Sequence, residues 1–80
     1  MDERTMTFSI GDQTEQQLRS ILITVYDALK QKGYNPINQI VGYILSGDLG
    51  YISSYKEARK KIATVDRSTL TEVLLKNFLS

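Results

Sequence analysis

At 80 residues, with 41% hydrophobic and 24% charged residues and a formal net charge of +1, the chain suffices for one domain and buries only about 60% of the surface its unfolded form exposes. It has no Cys and no His, which excludes disulfides, argues against a structural zinc site and removes the base that Ser/His or Cys/His catalysis needs. The charge balance is far from that of a strongly basic nucleic-acid-binding domain, and no run approaches the ~20 apolar residues of a membrane span.

Residues 1–12 alternate Met6, Phe8 and Ile10 with Thr7 and Ser9, then stop at Gly11-Asp12. An isolated strand has nothing to pair with, so the segment reads as a mobile tail whose apolar side chains can dock on a neighbouring surface. Its acids, Asp2, Glu3 and Asp12, stand where a signal peptide would be basic and then apolar, and the expectation is a soluble cytoplasmic protein. Thr5, Thr7 and Ser9 are hydroxyls on a segment of the kind a protein kinase reaches.

The helical pattern starts by Thr14, where Thr14-Glu15-Gln16-Gln17 has the form of a capping box. Leu18, Ile21, Leu22, Val25 and Leu29 follow at spacings of three and four, and Ile23 and Tyr26 widen the stripe until cover on more than one side is expected. Gly33 suits a left-handed helix stop, and Asn35-Pro36 ends one helix and begins another. The second helix carries Ile37, Ile40, Val41, Ile44 and Leu45 and closes at Ser46-Gly47-Asp48. Gly42 inside it is either tolerated or marks the close approach of another backbone; the abundance of β-branched neighbours favours close packing. After a turn over residues 48–53, Ser54-Tyr55-Lys56-Glu57 reads as a second capping box opening a short helix to Ile62. Asp66 caps a last helix with Leu70, Val73, Leu74 and Phe78 on one face. The predicted fold class is all-α: a compact antiparallel helix-loop-helix domain of about four helices over residues 13–80. Three apolar stripes are too many for so small a chain to bury, which predicts a homodimer.

For chemistry the chain offers little. Its glycines are scattered and build no phosphate-binding loop. Asp48 beside Asp27 or Asp66 would supply a carboxylate pair, but helix capping accounts for such acids more simply. The basic cluster Lys56, Arg59, Lys60, Lys61, flanked by Tyr51 and Tyr55, is a candidate nucleic-acid patch whose plainer reading is a solvated helix face; Arg59, Lys60 and Lys61 would equally suit a phosphate-bearing partner or a phosphorylated tail. Tyr26 and Tyr43 fall on or beside apolar stripes, as core or interface residues, and Tyr34 and Tyr51 fall in turns. No cofactor and no metal are implied, and enzymatic activity is not expected.

The string Gly33-Tyr34-Asn35-Pro36-Ile37-Asn38-Gln39-Ile40-Val41-Gly42-Tyr43, followed by Ser46-Gly47-Asp48, resembles the IreB family of regulatory phosphoproteins of Gram-positive bacteria. Further matches are Arg4-Thr5-Met6 with Phe8, Tyr51-Ile52, Ala58-Arg59 with Ile62, and Asp66-Arg67, so the resemblance spans nearly the whole chain. It implies a homodimeric helix-loop-helix protein without catalytic activity, phosphorylated on an amino-terminal Thr by a membrane-anchored Ser/Thr kinase with extracellular PASTA repeats. A cognate phosphatase and a downstream protein partner are implied with it, in a pathway that governs cell-wall stress and β-lactam tolerance. Thr5 matches the family's threonine, and Thr7 ranks second by proximity. Where the family usually reads SGDPAYI this chain has Ser46-Gly47-Asp48-Leu49-Gly50-Tyr51-Ile52, for which a looser turn is expected. The family's acidic, Tyr-rich carboxyl end is here reduced to Leu74–Ser80.

Overall fold

The capping box at Thr14 forms as read: Gln17 N donates to Thr14 Oγ1 (3.1 Å) and Thr14 N to Gln17 Oε1 (2.8 Å). It opens α1, Glu15–Gln31, at the start of the residues described by this computed structural model, 14–80. The reading of residues 1–12 as a tail lies outside them. At its far end α1 closes in a Schellman motif: Gly33, at φ +87°, donates to Lys30 O, and Tyr34 N donates to Leu29 O, both at 3.0 Å. Only glycine takes that conformation without crowding its Cβ. Asn35 then accepts from Asn38 N (3.1 Å), and Pro36 fills the first position of α2, Pro36–Ser46, where a missing N–H costs nothing. Gly47, also left-handed at φ +75°, ends α2.

Beyond α2 the chain turns through a short 3-10 segment, Leu49–Tyr51, and a second one, Tyr55–Glu57, into α3, Ala58–Ala63, and α4, Arg67–Leu79. The capping box expected at Ser54 does not form. Ser54 sits in helical rather than extended conformation and makes no capping hydrogen bond, whereas Ser53 Oγ accepts from Tyr55 N (3.0 Å). Lys56 and Glu57 adopt φ +55° and +60°, so Glu57 cannot reach back as the third helical residue, and α3 starts three residues later than the pattern implied. Two consecutive left-handed non-glycine residues cost roughly 1–2 kcal/mol each. Asp66 does cap α4, accepting from Thr69 N (2.9 Å) and Thr69 Oγ1 (3.0 Å).

The core is two adjoining clusters. Val25, Ala28 and Leu29 of α1 meet Tyr43 of α2, Ile52, and Ala58 and Ile62 of α3. Nearer the start of α1, Leu18 meets Val65 and Leu70, with Ile21, Leu22, Ile44 and Val73 half-buried around them. The α1 stripe therefore packs as read, but its wideners do not: Ile23 is 54% exposed. The α2 stripe departs further from expectation. Tyr43 is the buried residue of that helix, while Ile37, Val41 and Leu45 face outward and Ile40 and Ile44 are only half-buried. The side of α2 bearing Tyr43 faces α1 and α3; Ile40 and Ile44 touch the two core clusters, and Ile37, Val41 and Leu45 stay exposed. α4 behaves likewise, with Leu70 buried and Phe78 85% exposed.

Gly42 explains why the Tyr43 side was chosen. The ring of Tyr51 lies against its Cα, so that a Cβ there would fall 2.5 Å from Tyr51 Cε1. Close packing holds as read, although the packed group is an aromatic ring rather than a second backbone. Gly42→Ala is expected to destabilise the fold by about 1–3 kcal/mol, because either the ring or the turn must move; urea denaturation followed by circular dichroism measures it, and an unchanged midpoint would contradict this packing.

The Asp66 cap adds a pH dependence. The hydrogen bond from Thr69 N, then that from its hydroxyl, hold the carboxyl below its ordinary value of 3.8. A depressed folded-state pKa stabilises above the unfolded value and is lost as pH falls through the lower, folded one. Protection of the first-turn amides of α4 against hydrogen exchange should therefore be constant above pH 4 and fall only below the ordinary carboxylate range, a step absent in Asp66→Asn.

Candidate functional site

Two of the residue sets singled out by the sequence, the Gly33–Asp48 string and the basic cluster, lie among the described residues, and the structure treats them differently. The string from Gly33 to Asp48 is first of all a folding device. Gly33, Asn35, Pro36 and Asn38 make the α1–α2 turn just described. Gln39 reaches across to donate to Tyr51 O (3.0 Å), Gly42 seats the Tyr51 ring, and Tyr43 fills the core. Ser46 Oγ donates to Gly42 O (2.7 Å) and accepts from Asp48 N (3.0 Å), and Asp48 Oδ1 accepts from Gly50 N (2.8 Å). The turn at Leu49-Gly50, expected to be loose, is thus held from Asp48, from Gln39 and, through Arg59, from α3. Asp48 and Asp66 both serve as caps, so neither supports the carboxylate-pair reading.

The basic cluster is divided by the fold. Arg59 Nε donates to Ile52 O (2.6 Å) and to Leu49 O (3.1 Å), which commits that side of the guanidinium to the turn. Lys60 and Lys61 are exposed, and because successive helical residues lie about 100° apart, the three do not share one face of this short helix. Lys56 instead turns back over the Tyr55 ring, its Nζ 5.6 Å from the centroid, and Lys32 from the end of α1 lies over the same ring at 5.3 Å. Sequence reasoning missed Lys32, which stands 23 residues from Tyr55 and carries no local signal. It missed Arg67 for the same reason: Arg67 Nη1 donates to Ile44 O (2.9 Å), and its guanidinium lies over Gly47, where a Cβ would come within 2.8 Å of Cζ. A cation at the carboxyl end of α2 also complements the helix dipole. Thr5 and Thr7 lie outside the described residues.

The third feature is a groove that no single stripe announced. Leu22, Ile23 and Tyr26 of α1, Ile37 and Val41 of α2 and Leu74 of α4 line an open channel of about 440 Å³, with Glu15, Arg19 and Asn77 as its polar lining. It is walled by the very residues the sequence had placed inside. Past it, Leu75, Phe78 and Leu79 continue the exposed apolar surface along α4. Exposed apolar surface of this kind is common to protein–protein sites, membrane-facing sites and ligand grooves.

Fold and site together define a small all-helical protein: local turns devoted to rigidity, and an exposed apolar groove. The chain belongs to the IreB family, since the family model for the IreB regulatory phosphoprotein matches residues 3–80. Among the described residues, no helix is long and apolar enough to cross a membrane.

Arg59, read as a possible anion ligand, also anchors the turn through its Nε. Arg59→Lys keeps the charge but loses the Nε donor fixed between two carbonyls, and should cost about 1–3 kcal/mol in urea unfolding, while Lys60→Gln should leave the midpoint within about 0.5 kcal/mol. Equal effects of the two would return Arg59 to the solvated cluster.

Proposed function

We propose that this chain is a non-enzymatic, kinase-controlled regulator that works as a homodimer, receiving phosphate on Thr5, with Thr7 as a secondary acceptor, from a membrane-anchored Ser/Thr kinase, and adjusting the response to cell-envelope stress and β-lactams. Its family membership supports the regulatory phosphoprotein role. The observation that carries the mode of action is the uncovered face built by α1, α2 and α4. It is apolar, open and continuous with the end of α4, which suits a protein partner rather than a small polar substrate.

A second copy of the chain is the partner this face favours first. α4 bears apolar residues on more than one side, with Leu70 and Val73 turned to the body and Leu75, Phe78 and Leu79 exposed. In an isologous pair each copy would lend the outer residues of α4 to the other's groove, so that one set of residues supplies both knob and socket. Phosphate on Thr5 would add a charge of about −1.5 to −2 to a segment that already holds Asp2, Glu3 and Asp12, changing what that end of the chain attracts.

Incubating the full chain with the kinase domain and mapping phosphate by mass spectrometry should place it on Thr5, with most of the label lost in Thr5→Ala; label on neither Thr5 nor Thr7 would sink the reading. Light scattering at micromolar concentration should give twice the chain mass, and the double variant Val41→Glu, Phe78→Glu should run as a folded monomer. A wild-type monomer would rule out the dimer.

A further inference from the structure

At the opposite end of the molecule from the start of α1, a pocket of about 340 Å³ opens between the end of α1 and the 49–54 turn. Its lining includes two cations, Lys32 and Arg59, the rings of Tyr34 and Tyr51, and the hydroxyls of Ser53 and Ser54, with no Asp or Glu. The nearby carboxylate of Asp48 is occupied by Gly50 N. Arg59 is aimed by its two carbonyl bonds, so its guanidinium is preorganised at the pocket wall and not free to wander. Ser53 Oγ accepts from Tyr55 N, which leaves its hydroxyl proton to be donated elsewhere.

Two further facts point the same way. Lys32 and Lys56 approach one ring, that of Tyr55, so like charges are gathered beside the pocket, and among the described residues neither has a carboxylate partner. The ring face attracts both ammoniums, and a bound anion would add a charge-assisted partner to them. Lys56, moreover, has its backbone fixed in the left-handed conformation, which keeps its side chain on the Tyr55 side of the pocket.

We infer that this pocket binds a phosphate monoester, with Lys32 and Arg59 as charge partners, Ser53 and Ser54 as hydroxyl donors and Lys56 closing from the Tyr55 side. A dianion matches the two lining cations, charge-assisted bonds of this type are the strong ones, and the volume exceeds that of inorganic phosphate, leaving room for the group that carries it. The ester favoured is the chain's own phosphothreonine, an assignment that rests on the kinase-substrate reading above. In the same copy, α1 separates Thr14 from Lys32 by about 27 Å, and the nine residues from Thr5 to Thr14 extend to about 30 Å. Thr5 of the same copy therefore reaches only fully stretched, and a neighbouring copy is the better donor.

The test is a nitrogen-15 NMR comparison of the full chain, unmodified and kinase-phosphorylated, with separate titrations by O-phospho-L-threonine and by sulfate at constant ionic strength. Phosphorylation should shift the amides of Lys32, Ser53 and Ser54 and the Arg59 Nε–H. The free ester should shift the same set saturably, about threefold more weakly in Lys32→Gln and unchanged in Lys60→Gln, as expected for loss of one exposed charge partner. Shifts with the free ester but not with the phosphorylated chain would keep the site and overturn the chain's own threonine as its ligand. Equal response to sulfate, or no response to either phosphate source, would overturn the site itself. Failure of the kinase to label the chain bears on the proposed function alone, since the free-ester titration needs no kinase.

Discussion

The arrangement of the chain after α2 depends on one interaction, the reach of Arg59 back to the carbonyls of Leu49 and Ile52. Ile52 is buried between α1, α2 and α3, and although its N–H bonds Leu49 O within the short 3-10 turn, its own carbonyl has no regular helix or ladder partner. The guanidinium supplies the missing donor, and in doing so ties α3 to the turn. Ala58 and Ile62, one helical turn apart on α3, are then set onto α1. The left-handed pair at Lys56 and Glu57 follows from the same demand, because the chain must reverse within a few residues if Ile52 and Ala58 are both to point inward. Local backbone energy is given up so that two side chains can be buried, and the exchange favours burial.

Those parts of the fold that depend on neighbours three or four residues apart were legible in the sequence. The box at Thr14, the Gly33 stop, the Asn35-Pro36 start and the Asp66 cap all obey short-range rules, and all four stand as read. Ser54 failed because the same four-residue signature can be overruled by what lies downstream; nothing within the box records that Lys56 and Glu57 must turn left-handed. The contacts of Arg59, Lys32 and Arg67 were not legible because their partners are 7 to 23 residues away, beyond the reach of any periodicity.

The apolar stripe of α2 teaches a different lesson. Periodicity establishes that Ile37, Ile40, Val41, Ile44 and Leu45 share a side of a helix, and they do. It does not tell which molecule covers that side. Within one chain the Tyr43 side wins contact with α1 because Gly42 lets the Tyr51 ring come close, and the stripe becomes the wall of a groove. The conspicuous motif shared with the IreB family is in large part a recipe for this inversion: its small and turn-forming residues fix which side of α2 faces in, and so which side is presented.

Arg59 and Arg67 share a trait with wider reach. Both fasten the fold by donating to backbone carbonyls rather than to carboxylates. Carbonyl dipoles do not titrate and carry no net charge for salt to screen. These two ties are therefore insensitive to carboxylate titration, and a phosphate added elsewhere on a regulatory phosphoprotein changes its charge without touching them. A signalling component built in this way separates the message from the frame that carries it.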